Sequence, residues 1–517
     1  MSFEEHGIES IPDADRNASL FDFMRLCWGG ANSLATAVLG AFPIMFGLSV
    51  RQSMLATTLG VTVGALVLAP MAIFGPLNGT NNAVSSSAHF GVVGRIVGSF
   101  LSLLTAIAFF SISVWSSGDA VVGAAKVLLH VPESEPVFAV AYGTFALSVL
   151  VICIYGFRIM LFVNKIAVIA SSVLFVFGVI AFWNVFDSHF SGRGWQASSP
   201  PFWPAFVSAG LVALANPISF GAFLGDWSRY LPRETSRPAL IGATFLAQVL
   251  TLLPFFFGIM TASIIAARAP AFLEHTNYMG GVLAVSPPWF FGPLFVLAIL
   301  SGMSTGTTSL YGTGLDFSSV FPRLTRPRAT LFIGAVACAL IFVGRFVFTL
   351  ASSINTLITL IIVTTTPWMV IMLIGYRVRR GYYLPEAMQV FNRGQKGGPY
   401  WFDWGWNLPG MLAWMISSGL ALLTVNSPGQ FVGWLGNLAG GVDVSLLAAL
   451  VLPAILYPLC LWLFPEPAGV YGPCGSWLAP VSNRPIAPVV GERSSQRRVP
   501  LPQPTSVGSR ESSSRAP

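Results

Sequence analysis

The chain has 517 residues, of which 54% are aliphatic, aromatic or cysteine and only 9% are charged, and its mean hydropathy is +0.72. A soluble domain carries about 25% charged residues, so this chain cannot coat a water-facing surface of its own size, and lipid is its natural solvent. The net charge of +7 would suit a nucleic-acid partner, but the placement of the basic residues excludes that reading.

The opening segment, MSFEEHGIESIPDADRNASLFDF, is acidic and polar and has no apolar stretch of the kind a cleavable signal needs. Residues 1–24 are expected to form a cytoplasmic N-terminal tail. A helical span needs about 20 mostly apolar residues, and runs that qualify lie near 26–49, 54–74, 96–129, 137–155, 162–185, 203–225, 239–266, 289–312, 329–348, 352–375, 410–425 and 446–464. The expected fold is therefore an all-α integral membrane protein of about twelve transmembrane helices, occupying 25–465. With alternate loops assigned to alternate sides, 22 of the 27 Lys and Arg residues fall on the side of the termini and 5 on the other. That bias places both termini in the cytoplasm of a plasma (inner) membrane protein. Residues 466–517 turn Ser-, Pro- and Arg-rich and lack the apolar content to fold alone, so they read as a disordered cytoplasmic tail. The five cysteines have no metal or disulfide spacing, and the five histidines (His6, His89, His130, His189, His275) form no catalytic or metal-binding motif. No enzyme activity and no cofactor or metal is expected.

Polar residues inside the apolar runs carry the functional signal. The first run opens Trp28-Gly29-Gly30-Ala31-Asn32-Ser33, and the sixth contains Ala215-Asn216-Pro217-Ile218-Ser219-Phe220. Each combines helix breakers with an amide, five spans apart. Interrupted helices at matching places in two halves point to an inverted-repeat transporter with its site at the breaks. The third run places Trp115 and Asp119 on one helix face, four residues apart. Asp119 is the one acid well inside an apolar run, a costly position that argues for a role in binding. The eighth run carries Ser301, Ser304, Thr305 and Thr308 at helical spacing, a hydroxyl face suited to bonding helices together or to holding a ligand or a sodium ion. Ala31 and Ser33 at the first break complete a possible ion site with Ser301, Ser304 and Thr305.

Several stretches together resemble the purine–cytosine permease family of nucleobase–cation symporters, its fungal-type branch in particular. NGTNNAVSSSAHFGVVG resembles the family's polar segment between the second and third helices. VWSSGDAVVGA is similar to its GWSvvNsivGA signature, YGFRIMLFVNKI to the GYkvvH loop, and SLYGTGLDF to the end of the eighth helix. Asp226-Trp-Ser-Arg229-Tyr230-Leu-Pro232 matches the D-[FY]-[ST]-x-Y-x-P motif closing the sixth. The resemblance implies a LeuT-like fold of two five-helix inverted repeats plus two peripheral helices, working by alternating access. It implies a flat base stacked between Trp115 and Phe220, with its edge read by polar groups drawn from Asn32, Asn216, Ser219, Thr305 and Ser309. In this sequence Asp119 replaces the family's third-helix amide, and Thr305, Gly306 and Ser309 replace its eighth-helix asparagines, so an N–H-rich or cationic ligand edge is expected. The expected function is import of a nucleobase or related small N-heterocycle (cytosine, a purine, a hydantoin or a vitamin-like ring) coupled to H+ or Na+. The alternatives are an amino-acid–cation symporter of the same architecture and a non-transporting nutrient sensor.

Overall fold

The first helix begins where Ser19 takes the backbone N–H of Asp22, a side-chain cap that satisfies one of the unpaired donors of a helix start. This helix, α1 (Leu20–Ala31), stops at Asn32 and Ser33, and α2 (Leu34–Met45) restarts with Ser33 as its own cap. The chain continues as α3 (Val50–Leu68), α4 (Ile96–Leu129), α5 (Glu135–Tyr155), α6 (Phe157–Trp183), α7 (Phe202–Ser219), α8 (Gly225–Ser228), α9 (Arg237–Val249) and α10 (Leu252–Arg268). It ends with α11 (Phe291–Val320), α12 (Arg326–Val347), α13 (Leu350–Leu360), α14 (Thr366–Val378), α15 (Leu408–Leu423) and α16 (Ser445–Leu463). Among the described residues one hairpin, β1 (Asn426–Ser427) against β2 (Phe431–Val432), pairs Asn426 with Val432 between α15 and α16. The computed structural model describes residues 9–491 apart from 156, 195, 197, 199–200, 275–276, 322–323, 325, 348–349 and 429.

Among the described residues, nine helices are long and apolar enough to cross a membrane, and the shorter apolar helices Leu34–Met45, Arg328–Gly344 and Leu408–Leu423 fill the first, ninth and eleventh positions of the expected twelve. The packing pattern has the symmetry of an inverted repeat: α7, the first half of span six, packs on α3 of span two, and α1, the first half of span one, packs on α9 of span seven, while α2 packs on α10. The long third and eighth spans, α4 and α11, pack on each other. Small residues permit these close crossings, as is usual in lipid. A Cβ on Gly60 or Gly64 of α3 would strike the Gly210 carbonyl or the Pro217 ring, and Gly40 and Gly258 meet the Phe255 and Ala37 carbonyls across the α2–α10 contact.

The first and last described segments, around Ile11 and Val490, lie on one face, called here the terminal face. Two of the expected boundaries are corrected there. The segment before α1 is no free tail: the Ile11 N–H donates to the Gly79 carbonyl at 2.9 Å, and buried Arg16 donates to the carbonyls of Ile11 at 2.8 Å and Pro76 at 3.1 Å. Nor does a disordered tail begin at 466. Glu466 pairs with Arg379 at 2.6 Å, with both side chains almost wholly buried, and residues up to Val490 return to bridge Lys396. Around that pair the Arg379 guanidinium also reaches His89 Nδ1 at 2.7 Å, the Asn407 amide donates to Glu466 at 2.6 Å, and the Tyr471 hydroxyl donates to it at 2.9 Å. Composition hid this, because the segment borrows its core from the helices it packs on. The expectation of disorder for 492–517 lies outside the described residues, as do His6, His275, Arg323, Arg493, Arg497, Arg498, Arg510 and Arg515.

Since removing one partner strands a buried charge, Glu466→Ala is expected to destabilise the protein by about 3–5 kcal/mol, seen as a large fall in the melting temperature of the purified protein. Burial and the neighbouring guanidinium hold His89 well below the ordinary imidazole range. The unfolded chain therefore binds a proton that the folded chain refuses, and stability falls with pH below about 6.5. Melting curves across a pH series check this, and His89→Gln is expected to flatten that limb.

Candidate functional site

The two helix breaks meet in the middle of the bundle. At the first, Asn32 and Ser33 leave the helical path, with the Asn32 N–H still bonded to the Trp28 carbonyl at 2.9 Å and the Ser33 N–H to the Ala31 carbonyl at 3.0 Å. Short polar side chains that compete for backbone groups favour such a stop. At the sixth span the break was expected at Asn216-Pro217, and the structure moves it. α7 continues through Pro217 to Ser219, and the chain turns over 220–224 before α8. Proline removes the donor that would have served the Ala213 carbonyl, yet the helix closes over it by tightened bonds from the N–H groups of Phe220 to the Pro217 carbonyl (3.1 Å) and Gly221 to the Ile218 carbonyl (3.0 Å). Asn82, from the segment after span two, donates to the Gly221 carbonyl at 2.8 Å and so serves the unwound stretch.

The hydroxyl face of α11 does point at the first break. Ser304 donates to the Gly29 carbonyl at 2.8 Å, and Ser301 accepts the Leu34 N–H at 3.4 Å. Gly30 is enclosed between the two broken spans and span eight: a Cβ there would lie 3.1 Å from Thr308 Oγ1 and 3.3 Å from the Phe220 ring. Phe220 in turn packs on Phe223 and Trp227, with centroids at 5.3 and 5.6 Å. Beside this junction stand buried polar atoms with no hydrogen-bond partner among the described residues: both amide atoms of Asn216, the Thr305 hydroxyl and the Asn32 carbonyl oxygen. Buried polar groups are almost always satisfied, so these are the groups to which a polar ligand or water would bond. Ser219 spends its hydroxyl on the Asn216 carbonyl at 2.6 Å, and Ser309 is buried one turn beyond Thr305.

Trp115 and Asp119 stand elsewhere. They share a helix face as expected, but that face meets α5 and α12 and not the breaks. The Trp115 indole donates to the Ile341 carbonyl at 3.0 Å and its ring lies on Gly344. The Tyr142 hydroxyl bonds Asp119, so the acid has a protein partner. Sequence spacing fixes which residues share a face, but not which neighbour that face meets.

Above the junction a cavity of about 490 Å³ opens toward the face opposite the termini, lined by Met45 of α2, Val212 of α7, Asn355 and Ile362 of span ten, Arg193 and Asp443. Its volume falls in the ~300–1,000 Å³ range of small-ligand sites. Val212 lies one turn before Asn216 on the same face of α7, so the cavity wall leads to the unpartnered amide. Span ten forms one π-helical turn at Ile361–Thr365 beside this wall. Pro367 offers no N–H to the Val363 carbonyl, and the Trp414 indole takes the Thr364 carbonyl at 3.0 Å. Toward the terminal face the junction is sealed by residues the sequence reading passed over as span ends. Asp226, Arg229 and Asp316 are fully buried, the Tyr230 and Tyr311 hydroxyls meet at 3.1 Å, and Asn81 donates to Asp316 at 3.4 Å. Their place in a matched motif was the available signal.

The sequence profile described as permease for cytosine/purines, uracil, thiamine, allantoin matches residues 10–447. A putative purine-cytosine permease of Bacillus subtilis is 22% identical over 464 residues, covering 88% of this chain and 95% of its own. A vitamin B6 transporter of Saccharomyces cerevisiae is 24% identical over 341 residues, 62% of this chain and 56% of its own. Among solved structures, a nucleobase-cation-symport-1 family transporter in a closed conformation with bromovinylhydantoin bound superposes with a TM-score of 0.70 at 17% identity, over 91% of this chain and 98% of that one.

The geometry separates two aromatic residues that the sequence paired. Phe220→Ala is expected to remove a stacking surface of ~1–3 kcal/mol and weaken ligand affinity about 5- to 150-fold. Trp115→Phe is expected to lower the melting temperature, by the loss of one buried hydrogen bond of ~1 kcal/mol, with affinity unchanged. Equilibrium binding and thermal melting of both variants check the assignment, and an affinity loss at Trp115 with normal stability returns it to the site.

Proposed function

The chain belongs to the permease family for cytosine/purines, uracil, thiamine and allantoin, and from that premise we propose that it imports a small, flat nitrogen heterocycle by alternating access between its two helix breaks. It is a multi-pass membrane transporter and not an enzyme. The observation that carries the substrate class is the junction itself: the Phe220 ring against Gly30, with the unpartnered Asn216 amide and Thr305 hydroxyl on the same two spans, six and eight, that meet Gly30, and with Asn216 one helical turn from Val212 of the cavity wall. A ring face suits a planar ligand, and an amide offers both a donor and an acceptor to a heterocycle's edge.

The basic bias of the loops supports a plasma-membrane orientation with both termini cytoplasmic, in which the cavity faces outward. Substrate then enters from outside, bonds Asn216 and Thr305, and packs on Phe220. The Tyr230–Tyr311 contact and the buried layer of Asp226, Arg229 and Asp316 close the inner path. Release inward requires α8 to part from the end of α11, breaking that contact while the cavity wall of α2, α7 and α13 closes. Transport is coupled to H+ or Na+ in this reading. The vitamin B6 transporter among the relatives supports including pyridine-type rings beside bases and hydantoins in the substrate class.

Thermal-shift screening of purified protein against bases, hydantoins and B-vitamin precursors, followed by flux of the best hit into proteoliposomes, tests the proposal. Accumulation is expected, with Asn216→Ala weakening affinity about tenfold or more through the loss of buried hydrogen bonds worth ~1–3 kcal/mol. Binding without flux would make the protein a sensor.

A further inference from the structure

We infer that the pocket at the first helix break is closed to sodium, because the side-chain amide of Asn164 occupies the electrostatic place of the cation. The inference rests on the transporter reading and narrows its coupling ion. A hard cation is held by several oxygens whose lone pairs turn toward one point. The oxygens that this sequence offers at the first break and on the facing side of the eighth span belong to Ala31, Ser33, Ser301, Ser304 and Thr305, together with the Gly29 carbonyl and the Asn32 side-chain oxygen.

Protein donors already engage most of them. The Ala31 carbonyl accepts the Thr36 hydroxyl at 2.5 Å and the Ser33 N–H at 3.0 Å, which uses both of its lone pairs. The Gly29 carbonyl accepts the Ser304 hydroxyl at 2.8 Å. Ser301 Oγ accepts the Leu34 N–H at 3.4 Å, and Ser33 Oγ accepts the Thr36 N–H at 3.5 Å. Of these oxygens, Thr305 Oγ1 and Asn32 Oδ1 have no partner among the described residues. Ser304 has one proton and gives it to Gly29, so its contact with Asn164 must be an accepted bond. The amide therefore turns its NH2 toward Ser304, with Nδ2 at 2.9 Å.

A fully buried amide N–H on a serine that relays to a helix-break carbonyl does part of what a bound cation would do there. It brings positive charge to the same oxygens, and it ties span five to spans one and eight. The fit depends on Gly29, since a Cβ at that position would collide with Asn164 Nδ2 and with Val168. Eight residues on, Ser172 repeats the tie by accepting from Asn32 Nδ2 at 2.8 Å. The first break is thus pinned to α6 at two levels by neutral hydrogen bonds.

The test uses sodium alone, with no substrate, so its failure is separable from failure of the substrate assignment. Melting temperature is measured on the purified full-length protein in sodium chloride and in choline chloride at matched ionic strength and pH. Wild type is expected to melt at the same temperature in both. Asn164→Asp, which replaces the donor by a carboxylate and frees the Ser304 and Gly29 oxygens, is expected to gain a saturable sodium-dependent rise. Where that variant does not fold, Asn164→Ala, which removes the donor without adding charge, is read in the same way. A saturable sodium response in wild type that Ser304→Ala abolishes overturns the inference. A response that survives Ser304→Ala places the ion elsewhere and upholds it. A folded Asn164 variant without any sodium response overturns the surrogate role of the amide.

Discussion

A backbone that leaves the helical path inside a bilayer must find partners for its own N–H and C=O groups, since lipid supplies none. That requirement organises this protein. Each of its two breaks is held by side chains: Ser304 of span eight and, through it, Asn164 of span five at the Gly29 carbonyl, Thr36 of α2 at Ala31, and Asn82 from the segment after span two at Gly221. The third interruption, the π-turn of span ten, is served by the Trp414 indole from span eleven. The broken segments can be exposed to a ligand because the spans around them carry the polar groups that keep them from collapsing into ordinary helix.

The same requirement explains what the sequence disclosed and what it did not. The spans were legible because length and apolarity determine them, and α4 begins and ends at the expected residues, Ile96 and Leu129. The break at Asn32-Ser33 was legible because two short polar residues follow a glycine pair. The break in span six was legible as a feature but not in its place, since a proline can be absorbed by a helix end that tightens around it. The hydroxyl face of α11 was found by periodicity and faces the junction as periodicity alone could not guarantee. Trp115 and Asp119 show the limit: their shared face was right, and its neighbour is α5 and α12. Asn164 was not legible as a site residue, although it lies in a matched stretch beside Lys165, because its meaning comes from a serine 140 positions away.

Charge placement shows a further division of labour. A count of Lys and Arg by loop treats every one as a surface residue that reports orientation. Yet Arg95, Arg229 and Arg379 are fully buried at the terminal face, where Arg95 lies 5.2 Å from the Phe391 ring centroid and Arg229 5.1 Å from that of Tyr230. Arg95 reaches Asn392, and Arg379 reaches the Ala88 carbonyl and Glu466, so these two guanidiniums tie together segments between spans. Orientation and the architecture of the terminal face thus draw on the same residues, and a substitution there alters both.

The Arg379–Glu466 pair has a consequence in time. A ribosome makes Arg379 before spans eleven and twelve exist, and Glu466 follows only after the last helix. Until then the guanidinium and the His89 imidazole beside it have no anion to settle against, and the terminal-face ends of spans ten and twelve have nothing to clasp. The final closure of this face is therefore a post-insertion event, completed by a stretch of chain that never enters the bilayer. A nascent protein released before residue 466 would carry every span and still present an uncompensated buried charge to the cell's quality control.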